Sequence, residues 1–228
     1  MDRTRPKTRR ARPAAARRDA PSQSEQAYGL LKDALTTLAY KPGEYLNTAS
    51  LMEELALGRT PVNHALHRLA NEGLVQIIPR KGVMVSPLSI DDALELIQVR
   101  IANESLCARL AAARITAAEL QALADVAQAY EAAAARRSIT DVMNLDRSFH
   151  EQVAAACRNQ MLAEILKVLH ARSQRFWAIS LAREGHLAEV RSEHGAIIAA
   201  LARHDAEAAA AAMQEHVLSF QRALLQLR

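Results

Sequence analysis

The sequence predicts a mainly α protein: a winged helix-turn-helix of three helices and a β-hairpin, followed by an all-helical bundle of six or seven helices. Three observations carry this. Aromatic residues are only 4% of the 228-residue chain, while alanine runs such as Ala132 to Ala135 and Ala208 to Ala212 sit among Leu, Gln, Glu and Arg, which favours helices over a sandwich or barrel. Apolar residues recur at alternating three and four spacing, as in Leu94, Ile97, Ile101 and in Met213, Val217, Phe220, Leu224. Between residues 75 and 85 that texture is interrupted by a short β-branched patch.

Three regions follow in order. Residues 1–22 form a basic arm expected to be disordered: residues 1–20 hold Arg3, Arg5, Lys7, Arg9, Arg10, Arg12, Arg17 and Arg18 against Asp2 and Asp19, and Pro6, Pro13 and Pro21 interrupt any helix. That segment carries +6 of a chain total of +4, so the remainder is about −2, and the pI of 9.3 reports a tail rather than a basic domain face. The arm is read either as lying along phosphates or as a solubilising leader. Residues 23–87 form a first compact unit and residues 88–228 a second, divided near Pro87 and Ser89.

In the first unit the expected helices are 25–40, ended by Lys41-Pro42-Gly43-Glu44; 48–56, capped by Asn47; and a third reaching about Asn71. The second and third are joined by the three-residue turn Leu57-Gly58-Arg59, and Thr60-Pro61 is read as the start of the third, with the threonine hydroxyl as cap. A hairpin, Val75 to Val85, follows with Pro79-Arg80-Lys81-Gly82 at its tip. A helix presenting Arg59, Thr60, Asn63, His64, His67 and Arg68 suits base edges in a major groove, and Arg80, Lys81 and Gly82 suit phosphate or the minor groove. The alternative is an ordinary α-hairpin followed by a β-hairpin.

The second unit divides into expected helices at 90–113, 117–136, 139–157, 161–182, 187–203 and 205–226, punctuated by Thr116, Ser138 to Thr140, Asn159, Gly185 and His204-Asp205. Asp146 and His150 are four apart and share a helix face. His194 and His216 lie among apolar neighbours on two other helices and are expected to point inward, where an imidazole requires a partner. One Asp and three His suit a divalent Zn, Ni, Mn or Fe ion; the alternative is a set of separately hydrogen-bonded core histidines. His64, His67, His170, His186 and His204 are read as surface, DNA-facing or capping groups. Trp177 and Phe176 either line the pocket or fill the bundle, with filling the preferred reading, and Cys107 and Cys157 are read as small buried hydrophobes in a reduced, cytoplasmic protein. No run approaches the length of a membrane span.

Several dispersed segments resemble a known family. Pro42-Gly43-Glu44-Tyr45-Leu46, Arg59-Thr60-Pro61-Val62, Ala65-Leu66, Arg68-Leu69, Glu72-Gly73-Leu74-Val75 and Gly82-Val83-Met84-Val85 resemble the DNA-binding domain of GntR-type bacterial transcription regulators. The resemblance implies a homodimer on a palindromic double-stranded DNA operator, with Arg59 and Thr60 against DNA. Two departures stand out: Ala56-Leu57-Gly58 replaces the usual Gly-Val-Ser, removing a phosphate-contacting hydroxyl, and Asn63-His64 replaces the usual Arg-Glu, exchanging a guanine reader for an amide suited to adenine.

Arg100-x-x-x-Glu104, Asp146-x-x-Phe149-His150, Asn159, Glu193-His194 and His216 resemble the FCD effector domain of the FadR-type branch, and six helices rather than seven resemble its VanR-like subgroup. The resemblance implies Asp146, His150, His194 and His216 as metal ligands and a small carboxylate or sugar acid as effector. Arg100 is read as the effector's second anchor, or as a surface ion pair with Glu104. The expected function is a ligand-responsive regulator, read as a repressor, cytoplasmic and nucleoid-associated. The rival is a metal-dependent hydrolase or oxygenase with a DNA-binding-like appendage. It is disfavoured because Glu193, adjoining His194, is expected to point about 100° away from a metal-bound water.

Overall fold

The computed structural model describes residues 21–180 and 186–226. The basic arm up to residue 20, Gly185 and the His186 side chain lie outside this description.

The chain opens with α1 (Gln23–Thr36), whose N-terminus is capped by Ser22 Oγ accepting from the Glu25 N–H. It stops four residues short of the expected end. Thr36 and Thr37 both donate their hydroxyls back to the Asp33 carbonyl, and Leu38 adopts φ 61°, turning the chain out of the helix before Pro42 is reached. Tyr45–Leu46 then forms β1, a strand not among the expected elements. It pairs with β3 (Gly82–Val85), which pairs antiparallel with β2 (Val75–Ile78), giving the order β1-β3-β2 with Leu46 opposite Val83 and Val75 opposite Val85. Two residues carry little strand signal, and only the docked hairpin supplies their partner.

Between these strands lie α2 (Thr48–Leu55) and α3 (Arg59–Asn71). Asn47 Oδ1 caps α2 by accepting from Ala49 and Ser50 N–H, and Ala56 ends it in the left-handed region at φ 51°. One expectation is corrected at α3: the helix begins at Arg59, its N-cap is Gly58, and no side chain caps it, so Thr60 lies inside the first turn. Helical geometry fits around Pro61 within that turn because an N–H there has no intrahelical acceptor. The face made by Ala27, Leu31, Leu35, Val62, Leu66, Leu69 and Val85 closes the core of this unit.

Six helices follow among the described residues: α4 (Ile90–Ala112), α5 (Ala117–Ala135), α6 (Ile139–Ala156), α7 (Gln160–Ser180), α8 (His186–Ala202) and α9 (Ala206–Leu225). Their starts are chemically marked. Ser89 caps α4, Thr116 and Glu119 form a reciprocal capping box on α5, Asn159 Oδ1 accepts from Leu162 N–H, and Asp205 caps α9. Helix α4 packs along α9, α9 along α8, and α5 against α6 and α8. Cys107 and Cys157 are free and buried in the bundle. Among the described residues no helix is long and apolar enough to cross a membrane.

Helix α7 joins the two units. Ala171 belongs to the core of the winged unit, Arg172 Nε donates to the Glu72 carbonyl at 2.7 Å, and Arg175 donates to the Ser86 carbonyl. Arg147 on α6 adds an ion pair to Asp33 of α1 at 2.7 Å. Gly73 is required at this junction: its φ is +76°, and a Cβ there would overlap the Arg172 guanidinium. Gly73→Ala should therefore lower stability by about 1–3 kcal/mol in urea denaturation, the range for a strained left-handed residue.

Candidate metal centre and nucleic-acid interface

Asp146 and His150 extend from one face of α6, His194 from α8 and His216 from α9. One ligand atom from each lies within 4.8 Å of all the others. His216 Nε2 is 3.2 Å from His150 Nε2, His194 Nε2 is 3.4 Å from Asp146 Oδ1, and His150 Nε2 is 3.9 Å from Asp146 Oδ1. Donors bound to one ion at about 2.0–2.2 Å sit roughly 3.0–3.5 Å apart, so the cluster is close to the size a metal requires. His194, 1% exposed, stacks flat on Phe149 with ring centroids 3.9 Å apart, and Tyr130 meets its edge. Its Nε2 is buried without a hydrogen bond, the condition a bound ion relieves.

The protonation states suit ligation. Burial drives His150 and His194 below the usual imidazole range, leaving both neutral with lone pairs available at neutral pH. Burial acts upward on Asp146, but the surrounding imidazoles outweigh it and hold the carboxyl below its ordinary value, so it is anionic. Two further carboxylates orient the rings from behind. His216 Nδ1 bonds Glu193 Oε2 at 2.8 Å, and His150 Nδ1 lies 3.3 Å from Glu104 Oε2, each directing Nε2 into the cluster.

The Arg100–Glu104 pair forms, but it is buried rather than at the surface. Arg100 Nε donates to Glu104 Oε1 at 2.5 Å and Nη1 donates to Ser173 Oγ at 2.6 Å. Burial alone would raise the Glu104 carboxyl, yet the Arg100 guanidinium holds it well below its ordinary value. Together Arg100, Ser173, Gln174, Trp177, Glu193 and Phe220 enclose, with Asp146, His150 and His216, a cavity of about 30 Å³, on the scale of one bound water.

Three expectations are corrected here. His170 is buried, 3.2 Å from Glu104 Oε1, rather than at the surface. Glu193 does not point away from the centre but lines the cavity and holds His216, because α9 crosses α8 close enough to meet its partly lateral side chain. Trp177 lines the cavity as well as filling the bundle. His204 agrees with the reading of a surface or capping group: it is exposed beyond α8 at φ 52°, with Nδ1 2.8 Å from the Ala112 carbonyl at the end of α4. A sequence signal existed for His170: Leu166, His170, Ser173 and Trp177 form a single helical stripe with apolar ends. Glu193 had no comparable signal, since its partner lies on another helix.

On the winged unit, Arg59, Thr60, His64 and His67 are exposed and Asn63 half-buried, all along the outward side of α3. Arg80, Lys81 and Gly82 are exposed at the wing tip, with Arg80 at φ 64° and Gly82 at φ 105°. Arg68 departs from this group. Its guanidinium lies 3.6 Å from the centroid of the Tyr28 ring and bonds Glu25 at 2.8 Å, so α1 engages it. Beneath it Glu72 accepts from Tyr28 Oη at 2.7 Å and Lys32 Nζ at 2.9 Å.

A winged helix-turn-helix joined to a helical domain around a clustered Asp and His set defines a DNA-binding regulator with a helical C-terminal domain. Residues 23–85 match the gntR family of bacterial regulatory proteins and residues 95–219 match the FCD domain, so the chain belongs to the GntR family, in its FCD-bearing form. It is 26% identical over 205 residues to the HTH-type transcriptional repressor RspR of Escherichia coli K12, covering 90% of each chain. It is 35% identical over 132 residues to an HTH-type transcriptional regulator in the TAR-I ttuE-ttuC' intergenic region of Agrobacterium vitis, covering 57% of this chain and 77% of that relative. Among solved structures, E. coli McbR/YncC has the same fold, with a TM-score of 0.84 at 23% identity over 91% of this chain and 99% of that one. The protein is a DNA-binding transcriptional regulator and not an enzyme.

Glu104→Ala would strand the Arg100 guanidinium in the interior. A loss of about 3–5 kcal/mol in chemical denaturation is expected, as for one broken partner of a buried ion pair.

Proposed function

We propose that this chain is a cytoplasmic, nucleoid-associated repressor that binds a palindromic operator as a homodimer and is released by a small carboxylate or sugar acid recognised at a metal centre. In this reading residues 1–22 are a basic arm, 23–87 read DNA and 88–228 bind metal and effector and dimerise. The observation that carries it is the buried, unsatisfied His194 Nε2 facing His150, His216 and Asp146. Asp146 Oδ1 and the Nε2 atoms of His150, His194 and His216 hold a divalent Zn, Ni, Mn or Fe ion, with Glu193 and Glu104 fixing the rings. The ion supplies a Lewis-acid site for a carboxylate oxygen. Arg100 offers its remaining nitrogen, Nη2, to the effector, and Trp177 and Phe220 give way because about 30 Å³ does not admit a larger acid.

Helix α7 supports the coupling. His170, Ser173, Gln174 and Trp177 face the cavity, while Ala171, Arg172 and Arg175 hold the winged unit. An effector that moves α7 biases the two reading heads between arrangements of different operator affinity. On DNA, the uncapped first turn of α3 presents N–H groups to phosphate, Arg59 and Thr60 read at its start, and Asn63, His64 and His67 read further along. Arg80, Lys81 and Gly82 take the adjoining backbone, and Arg68 acts through the face of α1.

Selection from a random DNA library should return two inverted half-sites with the wild type. Arg59→Ala should lose roughly 1–3 kcal/mol of discrimination at the base it reads, and an unchanged consensus would remove it from the groove. Elemental analysis should find about one ion per chain, largely lost in His194→Ala, while Glu193→Gln weakens metal affinity about 10–100-fold. Removing residues 1–20 should flatten the salt dependence of DNA binding.

A further inference from the structure

A second cavity lies between the two units, far larger than the one at the metal centre. It measures about 500 Å³, within the size range of small-molecule sites. Gly73 and Gln76 of the winged unit form one side, Leu96 and Val99 of α4 another, and Leu169 and Phe176 of α7 a third, with the linker residues Ser86 to Leu88 across its end.

Arg172 and Arg175 also line this cleft. Arg175 is 2% exposed and, among the described residues, hydrogen-bonds the neutral Ser86 carbonyl. Its Nε is buried with no partner, and among the described residues no carboxylate pairs with it. Among the described residues the other buried cations meet carboxylates: Arg100 pairs with Glu104 and Lys32 with Glu72. Burial accordingly lowers the Arg175 guanidinium to about 10, which still leaves it cationic at neutral pH. An uncompensated guanidinium at a cavity wall costs several kcal/mol, a cost an anion removes. Asp92 and Glu95, on the α4 side, are exposed to water, and their charge disfavours a polyanion.

We infer that this cleft is a second ligand site, taking a small organic monoanion whose head group pairs with the buried Arg175 and with Arg172, and whose apolar body lies along Leu96, Val99 and Phe176. A planar carboxylate or a phosphate oxygen pair fits the guanidinium fork. The walls come from both units and from the linker, so an occupant bears directly on how the reading heads sit against the bundle. Binding itself does not depend on the metal-site reading.

Calorimetric titration of the full chain with hexanoate, and separately with inorganic phosphate, tests this. Saturable binding of one equivalent of hexanoate is expected, weakened at least tenfold in Arg175→Gln and in Gln76→Glu, and unchanged in His194→Ala. Gln76 is exposed, so its isosteric change keeps the test decisive if the buried arginine variant fails to fold. Saturable phosphate binding with the same dependence on both variants would support the site and identify its head group as phosphate. Absence of saturable binding by either anion, binding that survives Gln76→Glu, or binding lost in His194→Ala would overturn the proposal.

Discussion

Burying charge is the constraint around which the C-terminal unit is organised. Glu104, Arg100, Asp146, His150, His170, His194 and His216 lie within one bundle interior, where an unpaired charge is untenable. Each therefore has a defined neighbour, and the neighbours come from different helices: Glu104 on α4 reaches His150 on α6 and His170 on α7, while Glu193 on α8 reaches His216 on α9. Apolar stripes bring the helices together, and the polar lattice then selects the rotations at which they stop. Among the described residues, Glu104 Oε2, His170 Nε2 and His194 Nε2 stay buried there without a hydrogen bond.

The same constraint separates polar groups that satisfy one another from those left exposed. Tyr28, Lys32 and Glu72 form a closed set whose members satisfy one another, and it holds α1 against α3. Arg68 is drawn into that set by cation–π contact and by Glu25, although its sequence position suggests a DNA contact. Arg59, His64 and His67 stand exposed on α3, and Arg80 and Lys81 stand exposed at the wing tip. Arg175 differs from both groups, being interior and uncompensated at once.

Helix α7 gives the two units a common part. One stripe, Leu166, His170, Ser173 and Trp177, faces the bundle interior, and another, Ala171, Arg172 and Arg175, faces the winged unit and linker. Both cavities therefore lie against one continuous helix.

Local chemistry was readable along the chain. Asn47, Ser89, Thr116 and Asp205 are capping residues whose effect lies within three positions, and the apolar periodicity of the bundle lies within a turn or two, so helix number and approximate ends followed from sequence. Asp146 and His150 were legible as a pair because four residues is one helical turn, and His194 and His216 because polar residues within apolar stripes must find partners. Contacts made across helices were decided only by the tertiary structure: β1 exists because the hairpin docks beside it, Glu193 serves His216 because α8 and α9 cross there, and Arg175 meets the Ser86 carbonyl because the junction of the two units brings it there. Sequence spacing determines direction within one element, whereas distance between elements is set by how their side chains pack.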